Sequence, residues 1–451
     1  MERTALIALD RWKQSEHRKP LLMQGQRQVG KTWLLREFGR THYEEVAYFN
    51  FEKNPALGQI FETTKDPERI ITQLSAVHGA AIRPGVTLLV LDEIQESNQA
   101  LNTLKYFAED APGYHVACAG SLLGVRMSRP GSFPVGKVDF LTIRPMTFSE
   151  FLMACGDTAL VEYLASISTI APVLDAFGQP LTEQLMRYLI VGGMPEAVDR
   201  WSSQRDLAGV RETQDAILDS YELDFAKHAP AHTIARIGYV WRSIPSQLAR
   251  DNRKFLYKAA REGSRAREYE DALNWLVGMG VVTRVNRSSV PRIPLPAYDD
   301  LSAFKLFSGD TGLLARQSGL DPSALTNPHA PFVEFKGALT ENLVLQSLVS
   351  HFEVPPRYWT SSGQAEVEFL LQRGDDVHPI EVKSGMSVRS KSMNVYRKLF
   401  EPRLAVRFSL KNLECRDGLL NVPLYLADQL DRLIDIALAQ TAPSRRMDDR
   451  P

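Results

Sequence analysis

The segment that most constrains this chain is Gly25-Gln26-Arg27-Gln28-Val29-Gly30-Lys31-Thr32, which fits G-x-x-x-x-G-K-[ST] at every fixed position. Such a segment has one productive setting: an apolar strand must lead into it and a helix must leave it, so that backbone N–H groups and the helix N-terminus form a concave anion cradle. Both neighbours are present. Leu21-Leu22-Met23 precedes the loop, and Thr32 to Phe38 reads as a helix. Gly25 and Gly30 keep the cradle open, and residues 25–32 together are expected to wrap a nucleotide. Lys31 reaches the β- and γ-phosphates and the Thr32 hydroxyl faces Mg²⁺. ATP and Mg²⁺ are the expected cofactors.

A second part follows at Leu88-Leu89-Val90-Leu91-Asp92-Glu93, an apolar strand that ends in two acids. The carboxyl end of a buried strand is where an ion-holding carboxylate belongs. Asp92 is assigned to Mg²⁺ and Glu93 to the attacking water, which favours hydrolysis over phosphoryl transfer to a metabolite. The alternative for Glu93 is a solvated acid at a helix start. Ser121, just past the strand Tyr114 to Ala119, is read either as a γ-phosphate or water-positioning residue or as a helix N-cap. Beyond it Arg126, Arg129 and Arg144 are candidates for an arginine finger acting in a neighbouring subunit.

Apolar runs at Val46 to Phe51, Val86 to Leu91, Tyr114 to Ala119 and Val138 to Ile143 alternate with helical stretches. That rhythm is a parallel sheet with both faces covered. From about 155 to 228 helical spacing takes over, around Leu160, Leu174, Leu185 and Leu189. With 451 residues the chain exceeds one ordinary core. Its formal net charge of −1 gives no global attraction to nucleic acid or membrane, so any basic surface is local. Cys118, Cys155 and Cys415 share no metal-ligand spacing and are read as buried packing residues of a cytoplasmic protein. The start Met1-Glu2-Arg3-Thr4 lacks a signal-peptide pattern, and no stretch approaches the roughly 20 apolar residues of a membrane span.

The loop, Asp92-Glu93, Ala119-Gly120-Ser121 and Arg144-Pro145-Met146-Thr147-Phe148-Ser149-Glu150-Phe151 together resemble the AAA-type ATPases of prokaryotes that carry a C-terminal domain of unknown function (domain of unknown function 4143), relatives of the archaeal ATPases. Tyr188 to Val198 is similar to that family's Gly-Gly-x-Pro-Glu signature through Gly192-Gly193-Met194-Pro195-Glu196. The resemblance implies a P-loop sheet with an additional strand, a winged helix in the middle of the chain and a homo-oligomer that can close into a ring. Lys137 stands where the family typically has arginine. Gly192-Gly193 also reads simply as a helix terminator before Pro195.

The expected fold is therefore α/β and multidomain: a P-loop ATPase domain over 1–155, a helical lid or connector over 156–229, a winged-helix-like domain over 230–320, a restriction-endonuclease-like α/β domain over 325–440 and a disordered tail over 441–451. In the middle module Arg253, Lys254, Lys258, Arg265 and Arg267 dominate a basic stretch that could neutralise DNA phosphates, or could be only a solvated face. A helix with Tyr269, Ala272, Leu273 and Leu276 inward and a strand at Val281 to Val285 follow. In the last module the helix Gly337 to Phe352 carries Glu341, one strand carries Glu368 and another ends Glu381-Val382-Lys383. Alternation puts Glu381 and Lys383 on one face. This set resembles the PD-(D/E)xK nuclease core, with Glu368 where the family usually has aspartate, and implies a metal site with Lys383 polarising water. Glu366 is read as lying off that face, structural or solvent-facing. Two functions stand: an ATP-driven, DNA-engaging machine, and a nucleotide-controlled switch whose nuclease-like domain is inactive and binds a protein partner.

Overall fold

The structure is a computed structural model, and it describes residues 3–121, 136–250, 253–262, 265–322, 333–363, 365–385 and 390–441. The chain forms two compact units. The first comprises Met1–Pro145, Asp219–Gly238 and Arg267–Val282; the second comprises Met146–Leu218, Tyr239–Ala266 and Thr283–Pro451.

The first unit is built on five strands, β1 (Leu21–Gln24), β2 (Glu45–Asn50), β3 (Thr87–Asp92), β4 (His115–Ala119) and β5 (Asp139–Thr142), in the order β2-β3-β4-β1-β5. All four pairings are parallel. Successive residues of one strand enter opposite cores, as period-2 side chains must. Leu21, Met23, Leu88, Val90, Ala117 and Ala119 join Leu9, Trp12, Leu34, Leu35 and Phe38 on one face. Leu22, Leu89, Leu91, Val116 and Cys118 join Phe61, Ile70, Leu74, Leu104 and Phe107 on the other. This double coverage explains why the strands read as unbroken apolar runs. It also brings the carboxyl ends of β1 and β3 to either side of β4, the additional strand, with Ala119 in register with both Met23 and Asp92.

The second unit carries a mixed sheet in the order β12-β13-β11-β10-β9-β8-β6-β7. Its strands are β6 (Val282–Ser288), β7 (Asp299–Ser308), β8 (Arg357–Thr360), β9 (Glu366–Arg373), β10 (Asp376–Val382), β11 (Ala405–Ser409), β12 (Glu414–Arg416) and β13 (Leu419–Pro423). β9 runs antiparallel to β8 and β10, whereas β11 is parallel to β10 and to β13. The strand expected at Val281 to Val285 is β6, and with β7 it extends this large sheet. Helices Phe148–Ala154, Thr158–Ser166, Asp175–Val191, Pro195–Gln204 and Leu207–His228 follow one another where helical spacing was expected. Leu174 precedes its helix and is exposed instead of packing inward.

The two motif segments that lie beyond the nucleotide loop meet inside this unit. Thr147 and Glu150 form a capping box, with Glu150 N donating to Thr147 Oγ1 at 3.3 Å and Thr147 N donating to Glu150 Oε2 at 3.0 Å. Met146 N donates to Gly193 O at 2.7 Å. Gly192 ends its helix at φ +75°, a conformation glycine adopts freely. A Cβ on Gly193 would lie 2.2 Å from Met146 O, so only glycine lets the two backbones touch. Buried Asp310 closes the junction, accepting from Gly193 N at 2.6 Å and Leu313 N at 2.9 Å. Burial pushes its carboxyl up to about 6 against these bonds.

All three cysteines are free thiols; Cys118 is buried as expected, but Cys155, which follows the helix Phe148–Ala154, and Cys415, on the three-residue β12, are only half-buried. Among the described residues no helix is long and apolar enough to cross a membrane. Residues 442–451, most of the expected tail, lie outside the described residues.

Candidate nucleotide site and acidic pocket

The loop leaves β1 and enters the helix Lys31–His42 through two left-handed turns, Gln28 at φ +63° and Gly30 at φ +94°. Gly25 is required sterically: a Cβ there would lie 2.2 Å from Ile143 O. Lys31 is buried and donates to Gly25 O at 2.7 Å and Gln26 O at 2.9 Å, which points its ammonium into the concavity of the loop. Burial pushes this amine down to about 8, opposed by Glu93 and Asp92. An anion seated in the loop would offset the hydration that burial takes from this ammonium.

Asp92 is the polar centre of the site. It is 2 % exposed, and its Oδ2 accepts from Thr32 Oγ1 at 2.9 Å and from the Tyr48 hydroxyl at 2.5 Å, with Asn50 Nδ2 at 3.4 Å. Burial, then the bond to Asp92, raises the Tyr48 phenol above its usual range. The hard oxygens of Thr32 and Asp92 converge at the rim of the loop and suit Mg²⁺ chemically. Glu93 sits in the left-handed region at φ +51°, costly for a residue with a Cβ, and Gln95 Nε2 donates to its Oε2 at 2.5 Å. It does not begin an α-helix; it caps a three-residue 3₁₀ turn without a side-chain cap bond. Ser121 is buried two residues beyond Ala119, at the end of the strand that separates β1 from β3.

Sequence reasoning missed several of these partners. Arg27 forms an ion pair with Asp224 at 2.6 Å, and the Tyr221 hydroxyl donates to Arg27 O at 3.2 Å. Asp224 and Tyr221 lie at the end of the helix Leu207–His228, in the span that packs with the first unit. Gly280 comes against the same loop, with its Cβ position 3.4 Å from Gln26 N. Tyr48 and Asn50 had a local signal, since alternate residues of one strand share a face; Asp224 and Tyr221 had none. Of the arginine-finger candidates, Arg126 and Arg129 lie outside the described residues. Arg144 is half-buried, and burial lowers its guanidinium. Lys137 is held by Glu109 at 2.8 Å.

The second unit brings Glu341, Glu368, Glu381 and Lys383 together. Lys383 Nζ lies 3.0 Å from Glu381 Oε1 and 3.8 Å from Glu368 Oε1. Burial works to lower this ammonium, but Glu368 and Glu381 outweigh it and hold it above its ordinary value. Burial, then Glu341, pushes Glu368 up to about 8 against the pull of Lys383. Two cations complete the cluster. Arg407, in register with Glu381 across β10 and β11, donates to Glu381 Oε2 at 2.9 Å. Arg253, expected on a solvated DNA-facing surface, is instead paired with Glu341 Oε1. Arg253, Arg287, Glu366, Glu368, Glu381 and Lys383 are among the residues lining a pocket of about 850 Å³.

Glu366 corrects the strand reading. Residues 366 and 368 are two apart on β9, so they share a face, and Glu366 lines the pocket while pairing with the wholly buried Lys305. Among the described residues no group of three or more acidic, histidine or cysteine side chains is arranged to hold a metal ion. The nuclease-type metal therefore does not fit this donor set: both Glu381 oxygens and one Glu341 oxygen are already taken by cations. Of the remaining DNA-contact candidates, Lys258, Arg265 and Arg267 are exposed and Lys254 is half-buried.

Parallel sheet, glycine loop and paired acid make a P-loop NTPase-like domain, and residues 17–152 match the family model described as AAA domain. Residues 336–426 match a domain of unknown function (DUF4143), and residues 182–324 match another (DUF8612). Similar solved structures include the Walker-type ATPase of Pyrococcus abyssi, 14% identical, covering 70% of this chain and 95% of that one at a TM-score of 0.42. The Aeropyrum pernix Orc1 protein in complex with DNA is 16% identical over 70% of this chain and 90% of that one, TM-score 0.28. The Thermotoga maritima RuvB Holliday junction branch migration motor is 18% identical over 64% and 88%, TM-score 0.29. No curated protein matches the chain.

Proposed function

We propose that this protein is a Mg²⁺-dependent ATPase whose hydrolysis is coupled to work by its second unit. The observation that carries the reading is the convergence on Asp92 of Thr32 and Tyr48, with Glu93 fixed beside it by Gln95. Gly25 to Thr32 wrap the phosphates, Lys31 neutralises the β- and γ-oxygens, and Thr32 and Asp92 hold the metal, which supplies charge neutralisation on the phosphates when bound. Glu93 accepts the proton of the attacking water. Ser121, at the end of the intervening strand, senses the γ-phosphate. Subunits assemble into a homo-oligomer in the cytoplasm, with Arg144 one source of a charge-neutralising arginine.

For the second unit, DNA engagement through the exposed Lys258, Arg265 and Arg267 is one reading, with Lys254 and Arg253 contributing less than the sequence implied. The other reading, a nuclease-like domain that does not cut and engages a partner, is favoured by the ion pairs Arg253–Glu341 and Arg407–Glu381. Measuring ATP turnover with and without duplex DNA, alongside a gel-shift salt series, separates them. Phosphate contacts make affinity fall steeply with salt. No binding at low salt and no stimulation would remove DNA from the function. A Mg²⁺-dependent nick abolished by Lys383→Ala would restore cutting.

A further inference from the structure

We infer that Arg253 is the acidic pocket's own cation: its guanidinium takes the position at Glu341 that a divalent metal would need and keeps the pocket metal-free. This rests on the reading of the second unit as non-cutting and gives that reading a physical cause.

The arginine has a built seat. Its Nη1 engages Glu341 Oε1, and its Nε donates to Leu248 O at 3.1 Å. Gly337 lies four residues before Glu341 on the helix Val333–His351, and so on the same face. A Cβ at Gly337 would come within 2.9 Å of Arg253 Nη2, so the guanidinium lies close against the bare backbone of the helix. At Arg253 itself the backbone is at φ +46°, a conformation that a residue with a Cβ adopts only when its surroundings impose it.

The acids that remain are primed for a cation. Glu341 is 2 % exposed, yet among the described residues its Oε2 has no hydrogen-bond partner; Glu368 Oε2 is likewise buried without one there. Two buried carboxylate oxygens beside a third carboxylate are hard donors of the kind Mg²⁺ and Mn²⁺ take. What prevents their use is the charge already delivered by Arg253, with Lys383 and Arg407 on Glu381. A guanidinium satisfies charge through fixed planar hydrogen bonds, without a coordination sphere.

The test is Mn²⁺ binding to the full, nucleotide-free chain, read by electron paramagnetic resonance and by the Mn²⁺-induced shift in Tm. Wild type is expected to gain no Mn²⁺ at this pocket. Arg253→Ala is expected to gain one ion at least tenfold tighter than any wild-type site and to be stabilised by it, and Arg253→Ala/Glu341→Gln to lose that ion. Arg253→Lys, which keeps the charge, is expected to stay metal-free. A wild-type ion abolished by Glu341→Gln would overturn the proposal, as would an Arg253→Ala chain, folded or not, that takes no Mn²⁺. Metal-dependent cutting by wild type that needs Lys383 would sink the non-cutting reading itself; absence of cutting together with no gain in Arg253→Ala would sink only the role of Arg253.

Discussion

Thr32 and Asp92 are 60 residues apart in the chain, and the Thr32 hydroxyl donates to Asp92 Oδ2 at 2.9 Å. The sheet order makes this bond possible, because β4 alone separates the strand that feeds the loop from the strand that ends in Asp92. Tyr48 reaches the same oxygen from β2, on the far side of β3. A metal-holding carboxylate oriented by such a partner is more effective than one left to rotate.

Tyr48→Phe removes that orienting hydroxyl while keeping the ring. The Mg²⁺ concentration for half-maximal ATP turnover is expected to rise by about tenfold, the lower end of the usual cost of losing an outer partner. A magnesium titration at saturating ATP measures it, and an unchanged midpoint would show that Tyr48 has no part in metal holding.

Glu93→Gln keeps size and polarity but cannot accept a proton. ATP affinity is expected to stay within a factor of about two to three, and turnover to fall by roughly 10²–10⁴, the range of one general base. Equilibrium binding with a fluorescent ATP analogue and steady-state phosphate release give the two numbers. Undiminished turnover would take Glu93 out of the chemistry.

Gly193→Ala drives a methyl into Met146 O, with the Cβ 2.2 Å from that oxygen. A loss of about 3 kcal/mol is expected, since backbone cannot yield as a side chain can. Gly156, at φ +84° with nothing within 4 Å of its Cβ position, sets the comparison: Gly156→Ala should cost only about 1–2 kcal/mol, the left-handed penalty alone. Urea unfolding of the two variants separates close approach from backbone conformation.

Asp310 gives a pH signature with a definite sign. Burial raises its carboxyl from 3.8 to about 6 in the folded chain, so between these values the folded state holds a proton that the unfolded state has lost. The stabilisation from this group is complete below the unfolded value and is lost as pH rises through about 6. Over that window wild type should lose roughly 3 kcal/mol relative to Asp310→Asn, which does not titrate. Asp310→Asn, short of acceptors for Gly193 N and Leu313 N, should be the less stable chain at pH 4, and its deficit should shrink toward pH 6. A deficit that grows with pH would refute the assignment.

The loop, Asp92-Glu93 and the five parallel strands were legible because each depends on near neighbours: a glycine turn between strand and helix, acids at a strand end, apolar runs covered on both faces. Of the C-terminal acids only Glu381 with Lys383 was legible in this way, and the face of Glu366 was misread, where counting by two along β9 suffices to correct it. Residue type and spacing thus determined a glycine loop between strand and helix, an acid pair at a strand end and the Glu381-Val382-Lys383 strand end.

Only the tertiary structure decided what those groups face. Asp224 on Arg27, Tyr48 on Asp92, Arg407 on Glu381 and Arg253 on Glu341 are all pairings between segments distant in the chain, set by helix docking and strand order. A basic stretch reads the same in sequence whether its arginines meet solvent or a buried carboxylate. The difference arises when folding removes water from one guanidinium, Arg253, and leaves Lys258, Arg265 and Arg267 in it.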